Sequence, residues 1–453
     1  MFQHLPGFRD FYPQDCRIRH HLFREMRFCA EQFGFEEYDA PVLEPLELFT
    51  TKSGEEIEQQ LFGFSDRGGR AVALRPEMTP SLVRMVGAKI SSLKKPIRWF
   101  SIAEQFRYER PQKGRLRSFF QLNADILGEE SIAAEAEIIA LGIHTLQKLG
   151  LIHEDFHVRL SDRQLWALFL KANGLPPELI PPVLGIIDKM GRERSPTSPA
   201  HLAVLAPEIS SGAWEELFQR IGQFRSLQDA SKLSMFLQGQ AVDPYLRSAI
   251  GQRLEELELL LSRLEIMGYR AFITLDFSIV RGLAYYTGFI FEFFERQDGT
   301  QENPTRALAG GGHYDELFQK FGYSPLPAVG LAIGDVPLLE LLSKKEKLPP
   351  VAFTRDISLL FDSLEGESSA LSDATALRRM GYAITYTLQK GKTISRQLKQ
   401  MEPGNATWIC LYEAELLLEQ KVVLRHFANR EERILPRENL LRFLSENFPK
   451  RVS

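Results

Sequence analysis

The sequence contains few of the features that stabilise extracellular proteins or anchor membrane proteins. Cysteine occurs only three times in 453 residues, at the widely separated positions Cys16, Cys29 and Cys410, so a disulfide framework is not expected. No CxxC pair or His/Cys cluster indicates zinc. No stretch approaches the roughly 18 consecutive apolar residues of a membrane-spanning helix. The polar, proline-interrupted start "MFQHLPGFRDFYPQ" is unlike a secretory signal. We therefore expect a cytoplasmic protein with no membrane contact and no metal ligands of its own.

The chain also lacks a large excess of charge of either sign. It has 55 Lys+Arg against 59 Asp+Glu, which argues against a protein that coats nucleic acid. The stretch "FRYERPQKGRLRSFFQLNAD" is a local exception, because residues 107–117 carry five cations against the single carboxylate of Glu109. A concentrated positive loop on an acidic protein indicates a local polyanion site, and a solvated charged loop is the alternative.

Hydrophobic patterning and capping residues predict several elements along the chain. An amphipathic helix is expected from Pro13 to Phe33. The segment "AVALRPEMTPSLVRMV" predicts a strand followed by a helix, with Thr79 as the N-cap and Pro80 in the first helical position. The basic loop is predicted to join two strands of a hairpin. A further helix is expected to begin after an Asp243 cap and to end at Gly268.

The order of these elements predicts the domain organisation. Strand-forming segments lie on both sides of a region of helices and prolines, which indicates a domain at 1–342 interrupted by a helical insertion at about 162–268. A charged, proline-containing linker is expected at 343–355. Residues 356–453 alternate strand and helix, as a small α/β domain does.

Several segments, in order, resemble those of one enzyme family. "FRYERPQKGRLRSFFQ" is similar to motif 2 of class II aminoacyl-tRNA synthetases in its histidyl-tRNA synthetase form. "ALRPEMT", "IVRGLAYYTG" and "AGGGHYDEL" resemble three further segments of the histidyl-tRNA synthetase family, and Pro41 resembles the motif 1 proline at a dimer interface. The tail "KGKTISRQLKQMEPGNATWICLYEAELL" resembles the family's anticodon-binding domain. The resemblance covers nearly the whole chain and is weakest in the helical insertion.

The resemblance implies an α+β fold: a class II antiparallel-sheet core with a helical insertion, followed by a C-terminal α/β anticodon-binding domain. It implies a ligase that activates L-histidine with ATP, with Mg²⁺ on the phosphates, and passes the histidyl group to tRNA(His) in translation. A cytoplasmic homodimer is expected. Two alternatives stay open. One is the histidine-binding regulatory paralogue of ATP phosphoribosyltransferase, and the other is a tRNA-binding, catalytically dead relative. The tail and the "RPQKGR" tip favour the ligase.

The resemblance also assigns roles to individual residues. Catalysis is assigned to Arg107 and Arg281, the second as a stabiliser of the transition state. Histidine binding is assigned to Glu77, Thr79, Arg107, Gln121, Asp125, Arg281, Tyr285, Tyr286 and Tyr314. ATP binding is assigned to Arg107, Glu109, Arg115 and Phe119, and tRNA contact to Gln112 and Lys113. From the residues alone, the two adjacent tyrosines could be packing residues of a strand, and the glycine run at 309–312 could be a tight turn.

Four positions depart from the family pattern. Pro337 stands where motif 3 has an arginine that meets the γ-phosphate, so we expect a raised ATP requirement. Ala284 replaces an acidic residue, and His313 replaces an arginine and is expected to be a structural or surface residue. Asp125 replaces a glutamate, which implies a closer pocket wall or a bridging water.

Overall fold

The structure is a computed structural model that describes residues 3–50, 59–112, 114–190, 198–207, 209–240, 243–280, 285–296, 306–349, 355–388, 393–399, 406–427 and 429–448. The chain divides into two compact units, Met1–Pro349 and Pro350–Ser453. The division falls within the segment predicted as a linker.

The first unit is built on a large, mainly antiparallel sheet. Its strands are β1 (Glu36–Glu37), β2 (Leu43–Pro45), β3 (Phe62–Ser65), β4 (Ala71–Leu74), β5 (Ile97–Phe106), β6 (Ser118–Leu127), β7 (Phe156–Asp162), β8 (Ile273–Leu275), β9 (Phe289–Glu295), β10 (Ala309–His313) and β11 (Ala328–Gly334). Eight of them form one sheet in the order β1-β5-β6-β11-β10-β9-β7-β8, and the others form a small sheet in the order β2-β4-β3. In the large sheet only the β1–β5 and β7–β8 pairs are parallel.

Helices pack against both faces of this sheet and form the insertion. They are α1 (Pro13–Gln32), α2 (Leu46–Thr50), α3 (Thr79–Gly87), α4 (Ala133–Lys148), α5 (Arg163–Ala172), α6 (Ile180–Lys189), α7 (Pro199–Ala203), α8 (Ser211–Arg225), α9 (Ala230–Gln240), α10 (Pro244–Ile266), α11 (Leu317–Lys320) and α12 (Asp335–Lys344). Apolar residues of α1 and α4, such as Met26 and Ile139, share one buried core with Phe100 and Leu122 of the sheet. The opposite face of β5 and β6 packs in part against α3, in a second buried core.

Capping residues set the helix ends that were predicted from sequence, with one exception. Asp243 Oδ1 accepts the Tyr245 N–H at 3.0 Å at the start of α10, and Gly268 follows its end with a φ of +82°. The prediction of Thr79 as an N-cap is wrong. Met78 is the N-cap and has helical backbone angles, so Thr79 is already the first residue of α3. Helix α3 therefore begins one residue before Pro80, which the sequence had predicted as the first helical residue.

The insertion lies between β7 and β8, and every element in its described residues is helical. A stack of aromatic rings fixes it to the sheet domain. The Phe224 ring lies 4.5 Å from Trp166 and 4.7 Å from Phe169. Phe277, just after β8, lies 4.9 Å from Phe224, so the helices and the sheet share one continuous apolar core.

The second unit is a smaller α/β layer. Its elements are β12 (Arg355–Phe361), α13 (Leu364–Arg379), β13 (Ile384–Tyr386), α14 (Ile394–Lys399), β14 (Ala406–Tyr412), α15 (Ala414–Leu418), β15 (Lys421–His426), β16 (Glu432–Pro436) and α16 (Leu440–Asn447). The sheet order is β13-β12-β14-β15-β16. The first three are parallel, which requires crossover connections, and the last two pairs are antiparallel.

In the described part of the chain, no helix combines the length and the apolar character needed to cross a lipid bilayer.

Candidate active site

One face of the β5–β6 hairpin carries the predicted binding residues. Directly opposed residues of an antiparallel pair point to the same side. The register pairs Phe119, Gln121 and Asp125 with Gln105, Ala103 and Trp99. The side chains at 119, 121 and 125 therefore share one face, as a period of two predicts. The neighbouring Phe120 ring packs on the other side, 5.1 Å from Phe23 of α1.

Asp125 is buried and held by a single tyrosine. The Tyr314 hydroxyl donates to Asp125 Oδ1 at 2.6 Å. Burial raises the pKa of Asp125 to about 7, partly opposed by the Tyr314 hydrogen bond and reinforced by the charge of Glu77. Gly330 faces Asp125 across β11 and β6, and a β-carbon at that glycine would lie 2.1 Å from Oδ1. Glycine at 330 is thus required to make room for the carboxylate.

A second acid–tyrosine pair lies beside the first. The Tyr285 hydroxyl donates to Glu77 Oε2 at 3.2 Å, and the Tyr285 ring lies 5.0 Å from Tyr286 and 5.9 Å from Tyr314. Burial raises the pKa of Glu77, opposed by the charge of Arg107 and by the Tyr285 hydrogen bond. The two adjacent tyrosines precede β9 instead of lying in it, which corrects the strand interpretation.

The glycine run at 309–312 is not a turn. It belongs to β10, buried between β9 and β11. A β-carbon at Gly312 would lie 2.8 Å from Cδ1 of Tyr286. The missing side chain lets the tyrosine ring lie directly against the strand.

Arg107 links the acidic pocket to the aromatic surface of Phe119. It follows β5, and its Nε donates to the Pro76 carbonyl at 3.0 Å, beside Glu77. Its guanidinium lies 5.3 Å from the centre of the Phe119 ring. A cation in this place is adjacent both to the buried acids and to an apolar ring suited to stacking.

The basic loop closes on itself. Glu109 is buried and forms an ion pair with Arg115, so two residues that were assigned separate roles toward ATP contact each other. Gln112 and Arg115 exchange backbone hydrogen bonds of 3.0 and 2.8 Å. The Gly114 N–H donates to Glu340 Oε1 of α12 at 3.1 Å, which ties the loop to that helix.

Arg306 also reaches the loop. A β-carbon at Gly114 would lie 2.9 Å from Arg306 Cδ, so the arginine side chain crosses the backbone of the loop. Burial lowers the pKa of Arg306, and the nearby Glu340 acts in the opposite direction. Sequence reasoning missed this cation because it lies far from the basic loop along the chain.

Some predicted residues lie outside this arrangement. Arg281, Lys113 and Ala284 are not among the described residues. Thr79 is half-buried at the start of α3, two residues after Glu77. Among the described residues, no group of three or more His, Cys, Asp or Glu side chains is arranged to hold a metal ion.

Two further features were missed. Tyr38 is buried, and burial raises the pKa of its hydroxyl well above the usual value, with the nearby charge of Asp125 acting in the same direction. Asp335, at the start of α12, accepts the Phe120 N–H at 2.9 Å and pairs with Arg9 at 2.8 Å. Asp335 lies two residues before Pro337, the position at which the sequence departs from motif 3.

Comparisons with known proteins identify the family to which the chain is similar. The histidyl-tRNA synthetase family model matches residues 7–338. The histidine–tRNA ligase of Opitutus terrae is 43% identical over 447 residues, covering 99% of both chains. The chloroplastic/mitochondrial histidine–tRNA ligase of Arabidopsis thaliana is 38% identical over 84% of this chain and 74% of its own.

A solved structure confirms the predicted fold class. The crystal structure of histidyl-tRNA synthetase from Nostoc sp. PCC 7120 superposes with a TM-score of 0.75 at 20% sequence identity, covering 98% of this chain and 99% of that chain. With the family match and the sequence identity over nearly the whole length, the chain belongs to the histidyl-tRNA synthetase family.

Proposed function

We propose that this protein is a histidine–tRNA ligase that converts L-histidine and ATP to histidyl-adenylate and pyrophosphate and then transfers the histidyl group to tRNA(His). The observation that carries the proposal is the pocket in which the pairs Asp125–Tyr314 and Glu77–Tyr285 lie together. Arg107 lies at the edge of this pocket, next to Phe119.

Asp125 and the tyrosines fit the imidazole of histidine. A neutral imidazole has one N–H donor and one nitrogen acceptor. Asp125 accepts from the ring N–H, and the Tyr286 hydroxyl serves the other nitrogen. Glu77 and Thr79 hold the α-ammonium group, for which a buried carboxylate provides a charge-assisted partner. Gln121 lies four residues before Asp125 on the same face of β6 and contacts the substrate between the two ends of the pocket.

Arg107 is placed for the activation step. In that step a carboxylate oxygen of histidine attacks the α-phosphorus of ATP, and the bond to pyrophosphate breaks. Negative charge grows on the phosphoryl oxygens, where fixed cations contribute most to the rate. Arg107 meets the α-phosphate, and Arg281 supplies a second cation by resemblance to the family.

The hairpin holds the rest of the nucleotide. Phe119 stacks on the adenine, Glu109 forms hydrogen bonds with the edge of the adenine, and Arg115 binds phosphates. Because Glu109 and Arg115 pair with each other in the absence of ATP, their ion pair is replaced by contacts with the nucleotide when ATP binds. Mg²⁺ arrives with ATP as part of the substrate.

The remaining parts of the chain are assigned to tRNA binding and assembly. Gln112 and Lys113 at the loop tip contact the acceptor stem, and 356–453 is the anticodon-binding domain after the linker at 343–355. The insertion at about 162–268 separates the two halves of the catalytic domain at 1–342. We also propose a cytoplasmic homodimer. Exposed apolar side chains support the dimer: Val42 and Leu43, beside Pro41, are 43% and 42% exposed, and Phe64, in the same small sheet as Leu43, is 52% exposed.

Histidine-dependent exchange of pyrophosphate into ATP by the purified protein tests the proposal. Exchange is expected with histidine and not with other amino acids, together with charging of a tRNA(His) transcript. Histidine binding without exchange would instead indicate the regulatory paralogue. Binding of tRNA without either activity would indicate a catalytically dead relative. Sedimentation of the same preparation measures whether the protein is a dimer.

A further inference from the structure

His313 is held between two carboxylates. It is the last residue of β10 and is buried. Its Nδ1 lies 2.7 Å from Glu135 Oε1 of α4, and its Nε2 lies 2.5 Å from Asp315 Oδ1. A neutral imidazole donates from one nitrogen only, so two carboxylate acceptors favour the doubly protonated ring. Burial alone would lower the pKa of His313, but the hydrogen bonds to Asp315 and Glu135 outweigh it and raise the pKa to about 9.

This ion cluster adjoins the tyrosines of the pocket. The next residue, Tyr314, holds Asp125. The Thr287 N–H donates to the His313 carbonyl at 2.8 Å, and the Thr287 hydroxyl donates to Asp315 Oδ2 at 3.1 Å. The segment 285–288, which contains the other two pocket tyrosines, is thereby tied to the same cluster.

The insertion meets the cluster at Gly288. A β-carbon there would lie 3.1 Å from His313 Cβ and 3.2 Å from Arg253 Nη2, so glycine lets both side chains close on the segment. Arg253, from α10, donates to Asp162 Oδ2 at 2.5 Å. The Gly288 carbonyl accepts the N–H of Arg163, the first residue of α5, at 3.0 Å. The start of the first helix of the insertion and an interior residue of its last helix therefore both meet this junction.

We propose that His313, as an imidazolium between Glu135 and Asp315, is a positioning residue that fixes Tyr314 and the segment 285–288 against α5 and α10. It thereby sets the affinity of the pocket for histidine. The inference rests on the proposed function, because histidine is taken as the ligand.

The charged groups around His313 explain why loss of its proton would alter the contacts of the pocket. The groups that face it are the carboxylates Glu135 and Asp315 and, across Gly288, the cation Arg253, whose own carboxylate partners are Asp162 and Glu256. Loss of the proton leaves two carboxylates facing a neutral ring that can donate to only one of them. The carboxylate that loses its hydrogen bond to His313 is buried or half-buried, so leaving it without a donor is unfavourable. We expect it to move, and the hydrogen bonds to Thr287 and the position of Tyr314 to change as a result.

Two variants of the full-length protein separate charge from packing. His313→Gln removes the charge, whereas His313→Arg keeps it at every accessible pH. Histidine dissociation constants are measured by calorimetry, and the KM values for histidine and ATP by pyrophosphate exchange. We expect H313Q to weaken histidine binding by about tenfold at neutral pH, a shift of about 1.4 kcal/mol, with the KM for ATP unchanged. H313R should bind histidine nearly as well as the wild type.

The pH dependence provides the decisive readout. The ratio of wild-type to H313R dissociation constants should rise as the pH passes about 9, because only the wild-type ring loses its proton. The titration of the substrate's own amino group cancels in this ratio. A ratio that stays constant from neutral pH to about pH 10 overturns the proposal. So does an H313Q variant with unchanged histidine affinity, or one that loses ATP and histidine equally.

Thr287→Val keeps the test decisive if H313Q does not fold. It removes the hydroxyl that donates to Asp315 Oδ2 and accepts the Asp315 N–H, without altering the charge of His313. Weaker histidine binding with an unchanged KM for ATP supports the proposal, and unchanged histidine binding contradicts it. If the wild type binds no histidine, the proposed function fails as well. If the wild type binds histidine and the variants bind it equally well, only the proposed role of His313 is refuted.

Discussion

Replacing Asp125 with asparagine should stabilise the protein while weakening its affinity for histidine. Burial raises the pKa of Asp125 to about 7, against about 3.9 in an unfolded chain. Below about pH 4 the carboxyl is protonated in both the folded and the unfolded state, so the difference in pKa does not change the free energy of unfolding. Above about pH 7 it is ionised in both, and the native state bears a penalty of roughly three pKa units, or about 4 kcal/mol. Asparagine keeps an acceptor for the Tyr314 hydroxyl without the charge.

Urea denaturation of Asp125→Asn and wild type across this pH range measures the effect. The difference in free energy of unfolding should be near zero at about pH 4 and should grow to about 4 kcal/mol at about pH 8. The KM for histidine should rise by about tenfold or more, with little change in the KM for ATP. A stability gain that is equal at both pH values would refute the electrostatic reasoning. A loss of ATP affinity with histidine affinity intact would refute the assignment of the pocket.

Asp155→Asn is a matched control of opposite sign. Burial acts to raise the pKa of Asp155, but hydrogen bonds from Lys347, the Ile152 N–H and Lys345 outweigh it and lower the pKa. A carboxylate with a lowered native pKa contributes stability above its unfolded pKa and loses it as the pH falls. D155N should therefore destabilise the protein at neutral pH and leave the KM for histidine unchanged. A stabilised D155N would show that the pH-dependent difference in D125N has another origin.

Three further substitutions give testable expectations. Arg281→Ala should lower histidine-dependent pyrophosphate exchange by about 10²–10³-fold, as the loss of one donor to transition-state charge does; a near-normal rate would make Arg281 structural. Joint replacement of Gln112 and Lys113 by alanine should weaken tRNA charging, reduce its salt slope by about one unit at most and spare exchange. Equal losses in both assays would place the tip in the ATP site. Arg306→Ala should raise the KM for ATP more than that for histidine, because Arg306 crosses the loop at Gly114, next to Arg115, the residue proposed to bind the phosphates; an unchanged KM for ATP would contradict this.

The sequence was sufficient to predict those features of the structure that depend on contacts between neighbouring residues. The cap and stop residues around 243–268 mark the two ends of a helix through contacts with neighbouring residues, and alternation along β6 places Gln121 and Asp125 on one face. Contacts between distant segments were not predictable. Glu135 and His313 are 178 residues apart. Adjacent aromatic residues such as those before β9 occur both in turns and in strands, which explains why the interpretation of Tyr285 as a strand residue was wrong.

The glycine at 330 restricts how this pocket can change during evolution. Asp125 Oδ1 occupies the volume that any side chain at 330 would need, so residue 330 cannot gain a side chain while the carboxylate keeps its place. Alanine at 330 would displace the carboxylate of Asp125, which holds the Tyr314 hydroxyl. Which residues position 330 can accept therefore depends on the acid at 125, and the two positions are expected to change together during evolution.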